Sequence, residues 1–398
     1  MALLASSTSV ADLRAVARSL LPTIASGAAH RELIRRMPYP EVQRLFAEGL
    51  GVWRVPERFG GPDASVRDLV EFVIDLATAD ANIAQAVRSH FAFVEQLRRS
   101  TNDDQQQRWF ARVLQGDVFG LASGETGGVQ GQMSTRVHHT ADGWRVNGVK
   151  YYSTGTLYAD WISVRVIDEA DEPRGFVVPA DRDGIERIDD WDGIGQRLTA
   201  SGTTKFVDVV VHEDEFVKVE PQGGARPPIS PFFQIFLAAV EVGIGRNALT
   251  DAVAYARNKA RPIKHSGVDR SVDDPYVRLA VGETAARVYA AESAVLRAAE
   301  TIDHVDTTDN GSVAEQDALR EASVTVARAQ FFAVEAALKA GEQLFDVGGA
   351  STTSRSHNLD RHWRNARTVA SHNPRAYKAS VVGAYLLDDV EPPTSGFF

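Results

Sequence analysis

Cysteine is absent from all 398 residues, which removes disulfide frameworks, thiolate zinc sites, iron–sulfur clusters and a cysteine nucleophile together. A reducing cytoplasm is compatible with that lack and is the expected location. Long apolar runs are missing as well. The strongest, Ile235 to Val240, stops at Glu241, far short of the roughly 20 apolar residues a spanning helix needs. No membrane segment is therefore expected. The opening stretch, MALLASSTSVADLR, has no basic start and does not read as a secretory signal. Positive charge is in deficit: 43 Lys and Arg against 53 Asp and Glu, a net charge of −10. That balance argues against a nucleic-acid partner, which needs clustered cations. Nucleotide signatures are missing too, with no G-x-G-x-x-G after a strand, no G-x-x-x-x-G-K-[ST] and no H-E-x-x-H. His138 and His139 sit in a strand-like stretch, where neighbours face opposite ways and do not share one metal.

What is present is an ordinary globular composition, 44% hydrophobic and 24% charged, in a chain long enough for two or three packed units. Three regimes of periodicity follow one another, and they divide the chain at 1–117, 118–228 and 229–398. The first is helical, as in Leu13, Val16 and Leu20, with a breaker-rich loop from Val55 to Pro62. The second drops toward a period of two. Trp161–Val166, Gly175–Val178 and Lys205–Val211 read as strands, and Arg145-Val146-Asn147-Gly148 reads as a turn. Six or seven short strands point to a small antiparallel barrel or sandwich. The helical period then returns over Phe233–Ala260, Pro275–Thr301 and Ser312–Phe345, with a fourth helix after Pro374. Long amphipathic helices in that order predict a C-terminal four-helix bundle.

Several segments then resemble the acyl-CoA dehydrogenase superfamily across nearly the whole chain. VPERFGG at 55–61 is similar to its VPEEYGG loop, and Leu121-Ala122-Ser123-Gly124-Glu125-Thr126 to the stretch that lies against the flavin ring. Val146 to Gly155, which includes Lys150, Ser153 and Thr154, resembles the NG-x-K-x-W-I-T-N-G strand and turn. Gly195 to Gly202 resembles its G-x-R-x-T-x-S entry. Within the superfamily, Ala260-Arg261-Pro262, Asp360 to Thr368, Ser371 to Lys378 and the tail ending Gly396-Phe397-Phe398 look like the dibenzothiophene monooxygenase group. The resemblance implies a mainly α fold with a central β domain: an N-terminal helical domain, a small β-barrel and the helix bundle.

It also implies chemistry. Acyl-CoA dehydrogenases commonly place a Glu near the last helix to abstract an α-proton, whereas here that loop reads Ala370-Ser371-His372-Asn373-Pro374. Without a carboxylate, desaturation is poorly served. Oxygenation through a C4a-(hydro)peroxyflavin needs a proton donor instead, and His372 fills that part. Its residue-level alternative is a satisfied helix-cap histidine. Ser153 and Thr154 would contact the isoalloxazine edge, although by the residues alone an ordinary turn before Gly155 is the better reading. Leu121, Ala122, Ser123, Glu125 and Thr126 would offer backbone to the pyrimidine side, and Trp191 would stack nearby or fill the core. Arg261 matches the flavin-phosphate arginine, faced by Ala350 and Ser351 after Gly348-Gly349, across a subunit boundary.

One departure concerns the pocket. Gln85 stands where the group has His and Ser89 where it has Tyr, while His90 matches. Phe91, Phe93, Phe232, Phe233, Phe236 and the tail phenylalanines suit an apolar substrate, though such spacing is more common in cores. The implied enzyme takes reduced FMN from a separate NAD(P)H-dependent flavin reductase, with O2 as co-substrate. It would oxygenate a small, largely apolar molecule at sulfur, nitrogen or aromatic carbon, as a homotetramer. The alternatives are an FAD-dependent acyl-CoA dehydrogenase or oxidase, and a scaffold that has lost its flavin.

Overall fold

The computed structural model describes residues 8–127, 133–217, 225–395 and 398. Phe397 and Gly396 of the expected tail motif lie outside the described residues.

Five helices come first: α1 (Val10–Leu33), α2 (Tyr39–Ala47), α3 (Val66–Ala86), α4 (Arg88–Arg98) and α5 (Asp103–Leu114). Ser65 starts α3 because its hydroxyl accepts from the Asp68 amide while Asp68 bonds back to the Ser65 amide, satisfying end groups the helix cannot. Inside α3 the backbone leaves helical geometry at Asp80 (φ −155°, ψ 106°). There Asp80 Oδ1 accepts from the Asn82 amide at 2.9 Å and Oδ2 holds Arg31 Nη2 at 2.8 Å. The last turn of α3 is thus restarted by a buried ion pair, and this re-aims Asn82 to Ala86 toward the sheet.

The sheet contains β1 (Phe119–Ala122), β2 (Arg136–Thr140), β3 (Gly143–Lys150), β4 (Trp161–Ile167), β5 (Pro173–Pro179), β6 (Ile185–Arg187), β7 (Thr204–Val211) and β8 (Phe216–Val217). Their order is β6-β7-β3-β2-β4-β5-β8, with β1 beside β4. The strands run as the alternation indicates, but the sheet is mixed rather than antiparallel: β1 and β2 both meet β4 in parallel. The Asn147-Gly148 signal marks no turn. It lies inside β3 as a bulge opposite β7, with Gly148 at φ 150°, while the reversal falls at Ala141-Asp142. Gly148 is required because a Cβ would stand 2.6 Å from the Thr135 side chain.

The chain closes with α6 (Ile229–Asn258), α7 (Pro275–Val305), α8 (Val313–Gln343), α9 (Arg361–Ala370) and α10 (Arg375–Asp388). Helices α6, α7 and α8 pack on one another and α10 lies along α8. The short α9 escaped the sequence reading because its apolar stripe is narrow: only His362, Ala366, Val369 and Ala370 of its inner face are apolar or aromatic. Among the described residues, α6 is the one helix long and apolar enough to cross a membrane, and 83% of that window is buried within the protein. Its apolarity is that of a core helix.

One core runs from the first helices into the bundle and includes Phe91, Phe93, Phe232 and Phe236. Of the two readings open for these rings, substrate wall or core, they take the more common one, core packing, with Phe93 stacked on Phe119 at 4.2 Å. The Arg31–Asp80 pair gives the first prediction. Asp80→Ala should destabilise the protein by about 3–5 kcal/mol, the scale for removing one partner of a buried pair, read as a lower urea midpoint. An unchanged midpoint would show that the pair is not what restarts α3.

Candidate active site

The re-aimed end of α3 meets two loops. Asn82 Oδ1 accepts from the Leu198 amide at 3.1 Å, and Asn365 Oδ1 on α9 accepts from the Gln196 amide at 2.6 Å. Loop 195–202 is therefore clamped from both helical regions. Gly155 (φ 80°) brings the β3 loop against the α3 terminus so closely that a Cβ would stand 2.5 Å from the Ala86 carbonyl. One turn on, Ser89 Oγ donates to the Thr154 carbonyl at 2.9 Å.

Between these segments runs a chain of hydroxyls. Thr199 Oγ1 donates to the Gln196 carbonyl, Ser201 Oγ lies 2.7 Å from Thr199 Oγ1, and Thr154 Oγ1 lies 2.9 Å from Ser201 Oγ. A carbonyl lies at each end of the chain, that of Gln196 for Thr199 and that of Tyr152, at 3.4 Å, for Thr154, so both end hydroxyls can donate outward and Thr154 Oγ1 keeps acceptor capacity. Three non-glycine residues here hold the sparsely populated left-handed conformation: Tyr152 (φ 56°), Gln196 (φ 52°) and Ala200 (φ 52°). Such strain persists where the surroundings over-determine it, and it gathers at functional sites.

The same junction carries polar atoms that nothing satisfies. Ser153 Oγ, Gln85 Oε1 and Arg88 Nε are each enclosed without a hydrogen-bond partner. Buried polar atoms are normally paired, so three orphans at one junction mark a place built for something else to bond.

His372 joins this site from the α9–α10 loop. Arg88 Nη2 lies 3.1 Å from its Nε2. A guanidinium only donates, so Nε2 is the acceptor and the ring proton resides on Nδ1. His372 is an exposed residue of the loop, and its ring is partly desolvated where it meets Arg88. That desolvation first, and then the charge of Arg88, pushes its pKa down to about 3. The imidazole is thus neutral at physiological pH and holds its proton as an uncharged ring, where the sequence suggested a group that also takes a proton back near neutral pH. Beside it, Asn373 Nδ2 and Lys378 Nζ both meet Gln234 Oε1 of α6, at 2.7 and 3.2 Å, and Lys378 lies 4.5 Å from the ring centroid of Phe398. Sequence reasoning missed Arg88, Asn373 and Gln234. An arginine between two expected pocket positions, Gln85 and Ser89, was the available signal.

Other expected residues sit elsewhere or are already engaged. His90 is fully buried, with Nε2 on the Gly51 carbonyl and Nδ1 toward the Phe119 amide. Burial pushes its pKa down to about 4, and no ring nitrogen is left for a ligand. Lys150 and Glu125 form an ion pair at 2.6 Å, and Glu125 also accepts from Ser134 and Thr135. They brace the Leu121–Thr126 stretch, whose Gly124 carbonyl accepts from the Tyr151 amide and whose Leu121 amide approaches the Thr154 carbonyl. Ala122 points into the sheet core, Ser123 lends its carbonyl to Lys150, and Thr126 is exposed. Trp191 bonds the Gln196 carbonyl and leans on Tyr151 and Tyr152. Arg261 is exposed just beyond α6, and within α6 Tyr255 donates to Ser351 Oγ at 2.8 Å.

Helices, a mixed sheet and a helix bundle, joined around a strained, hydroxyl-lined junction, define an acyl-CoA dehydrogenase-like oxidoreductase scaffold. The family models for the acyl-CoA dehydrogenase N-terminal and C-terminal domains match residues 10–117 and 235–375. Dibenzothiophene monooxygenase of Rhodococcus erythropolis is 30% identical over 97% of this chain and 95% of its own. A probable FMNH2-dependent monooxygenase, SfnC, of Pseudomonas putida is 29% identical over 96% of both. The crystal structure of FMN-bound TdsC from Paenibacillus sp. A11-2 superposes with a TM-score of 0.90, at 28% identity, over 97% of this chain and 100% of that one. The chain belongs to the acyl-CoA dehydrogenase family, in its flavin-dependent monooxygenase branch beside the dibenzothiophene monooxygenases.

The tautomer and low basicity of His372 are directly testable. Followed by NMR from pH 8 to 5, its ring should stay neutral, because the lowered pKa defers protonation to well below pH 5. Arg88→Met should move that protonation up toward 6.5. Correspondingly, the unfolded ring takes up a proton below about pH 6.5 that the folded ring refuses, so this residue costs stability as pH falls. Titration of the wild-type ring near 6.5 would contradict the geometry.

Proposed function

We propose that this protein is a two-component monooxygenase that receives reduced FMN from a separate NAD(P)H-dependent flavin reductase and uses O2 to oxygenate a small organic substrate at sulfur, nitrogen or aromatic carbon. The observation that carries this reading is the Ser371–Pro374 loop. Its titratable side chain is a neutral imidazole held by a cation, and no carboxylate among the described residues bonds it. A dehydrogenase needs a base against an acidified C–H. The enclosed carboxyl on the same helix as Gln234 is Glu241, about 10 Å further along by helical rise. Burial pushes its pKa well above the usual carboxylate range.

The residues present suit FMN. Its reduced ring, when bound, supplies the electrons that activate dioxygen. Thr154 Oγ1, an acceptor at the head of the hydroxyl chain, suits the N5–H of a reduced isoalloxazine. Ser153 Oγ and Gln85 offer the remaining unsatisfied polar atoms. His372 holds a proton at Nδ1 and can donate a hydrogen bond there without carrying charge. Trp191 and Tyr152 wall the open side. Arg261, Ala350 and Ser351 would take the terminal phosphate.

These two groups of residues cannot serve one flavin within a single chain. On α6, Gln234 meets the His372 loop and Tyr255 meets Ser351. From 234 to 255 the helix rises about 30 Å, longer than a flavin mononucleotide. A second copy must complete the site, in keeping with an oligomer, and a tetramer built on the bundle is the arrangement we favour.

His372→Ala should leave the reductase's flavin turnover untouched while hydrogen peroxide replaces oxygenated product. An unchanged product yield per reduced FMN would remove His372 from the mechanism. Arg261→Ala should weaken FMN binding by about 1.5–3 kcal/mol, the scale of a lost charge-assisted hydrogen bond. A flavin titration that does not move would take Arg261 out of the phosphate site.

A further inference from the structure

The hydroxyls of Thr154, Ser201 and Thr199 are all buried, and their protons can be counted. Thr154 Oγ1 lies 3.4 Å from the Tyr152 carbonyl and 2.9 Å from Ser201 Oγ. Thr199 Oγ1 lies 2.7 Å from Ser201 Oγ and 2.9 Å from the Gln196 carbonyl. Each hydroxyl carries one proton, so three protons serve these four links and one link goes without. Hydroxyl bonds favour roughly 2.7–2.8 Å and weaken with distance, which leaves the 3.4 Å link to Tyr152 empty. That carbonyl already accepts from the Thr154 amide at 2.8 Å.

The protons therefore run one way. Thr199 donates to Gln196, Ser201 to Thr199 and Thr154 to Ser201. Thr154 Oγ1 then has lone pairs alone to offer a ligand. The two loops do not need this chain to hold together. The Gly155 amide donates to the Thr199 carbonyl at 3.0 Å and the Ser153 amide to the Gly202 carbonyl at 3.2 Å. Asn365 and Asn82 clamp the amides of Gln196 and Leu198, and Gln196 and Ala200 are kept left-handed at φ 52° on either side of Thr199. What the hydroxyls add to that framework is a direction.

We infer that Ser201 and Thr199 are positioning residues that fix the Thr154 hydroxyl as an acceptor, and that they thereby make this site select reduced FMN over oxidised FMN. The N5 atom of a flavin is an acceptor when oxidised and an N–H donor when reduced. Thr154 as an acceptor bonds only the reduced form. To bond the oxidised form, Thr154 must turn its proton outward, and one of the three short links loses its own. The inference deepens the monooxygenase reading and rests on it for the flavin and for its contact with Thr154. A site so built lets go of used, oxidised flavin and refills with the reduced form from the reductase.

The test is anaerobic titration of the intact protein with oxidised FMN and with chemically reduced FMN, in the absence of substrate. Wild type should bind the reduced form about tenfold or more tightly, and each tenfold raises the two-electron potential of bound FMN by about 30 mV. Ser201→Ala cuts the chain and frees the Thr154 proton. It should tighten oxidised FMN by about three- to tenfold, the range of one net hydrogen bond, and lower the bound potential to match. The reduced form should be little affected. Thr199→Val should move the ratio the same way, because Ser201 then donates to Thr154; Thr199→Ser keeps the hydroxyl and should restore it. Equal wild-type affinity for the two forms overturns the inference. So does an unchanged ratio in Ser201→Ala, or a loss of both forms alike, as a merely structural serine would give. Should Ser201→Ala fail to fold by circular dichroism, the Thr199→Val and Thr199→Ser pair decides in its place. Product yield per reduced FMN is scored separately. No product with the ratio and its response intact sinks the monooxygenase reading and leaves the two positioning residues. Product with a ratio that ignores the variants sinks only their assignment, and no binding of either flavin overturns both.

Discussion

The active-site junction depends on one close approach, that of Gly155 to the carbonyl of Ala86. A side chain at 155 would push the β3 loop off the end of α3, and with it the Ser89–Thr154 hydrogen bond and the hydroxyl chain that begins at Thr154. The approach is possible because α3 breaks at Asp80 and restarts on the same aspartate, its charge matched by Arg31. Helix, loop and strand are thereby fixed relative to one another before any ligand arrives. Pre-organisation of this kind lets donors and acceptors act without reorganising at the moment of reaction.

The distribution of charge follows a consistent logic around that joint. Where a charge serves structure, it is matched: Lys150 with Glu125, Arg54 with Glu95 and Asp306, Asp251 with Arg361 and His362. Where chemistry is expected, matching stops. Arg88 has only the histidine, whose own basicity the arginine helps suppress. Neutral imidazole, unpaired cation and unsatisfied hydroxyl lie along one junction, and a dehydrogenase-type carboxylate is missing from its loop.

Much of this was legible in the residues, and the misses have physical causes. Strands β4, β5 and β7 lie where the sequence places them, and the bundle helices follow their stripes to within a few residues. Asn147-Gly148 misled because a β-bulge and a hairpin turn demand the same permissive backbone, and only the partner strand distinguishes them. His90 was expected in the pocket beside Ser89 because it matches the dibenzothiophene monooxygenase group, yet successive helical side chains point about 100° apart. One faces the loop; the other faces the core.

The amino-acid order determined the succession of helices, strands and helices, the family, and the loop without a base around His372, because periodicity and local motifs are properties of neighbouring residues. Tertiary structure alone decided which nitrogen of His372 keeps its proton, that Arg88 meets no acid among the described residues, and that the two ends of α6 meet different loops. Those facts depend on which side chains meet across separations of tens or hundreds of residues, as Arg88 and His372 do.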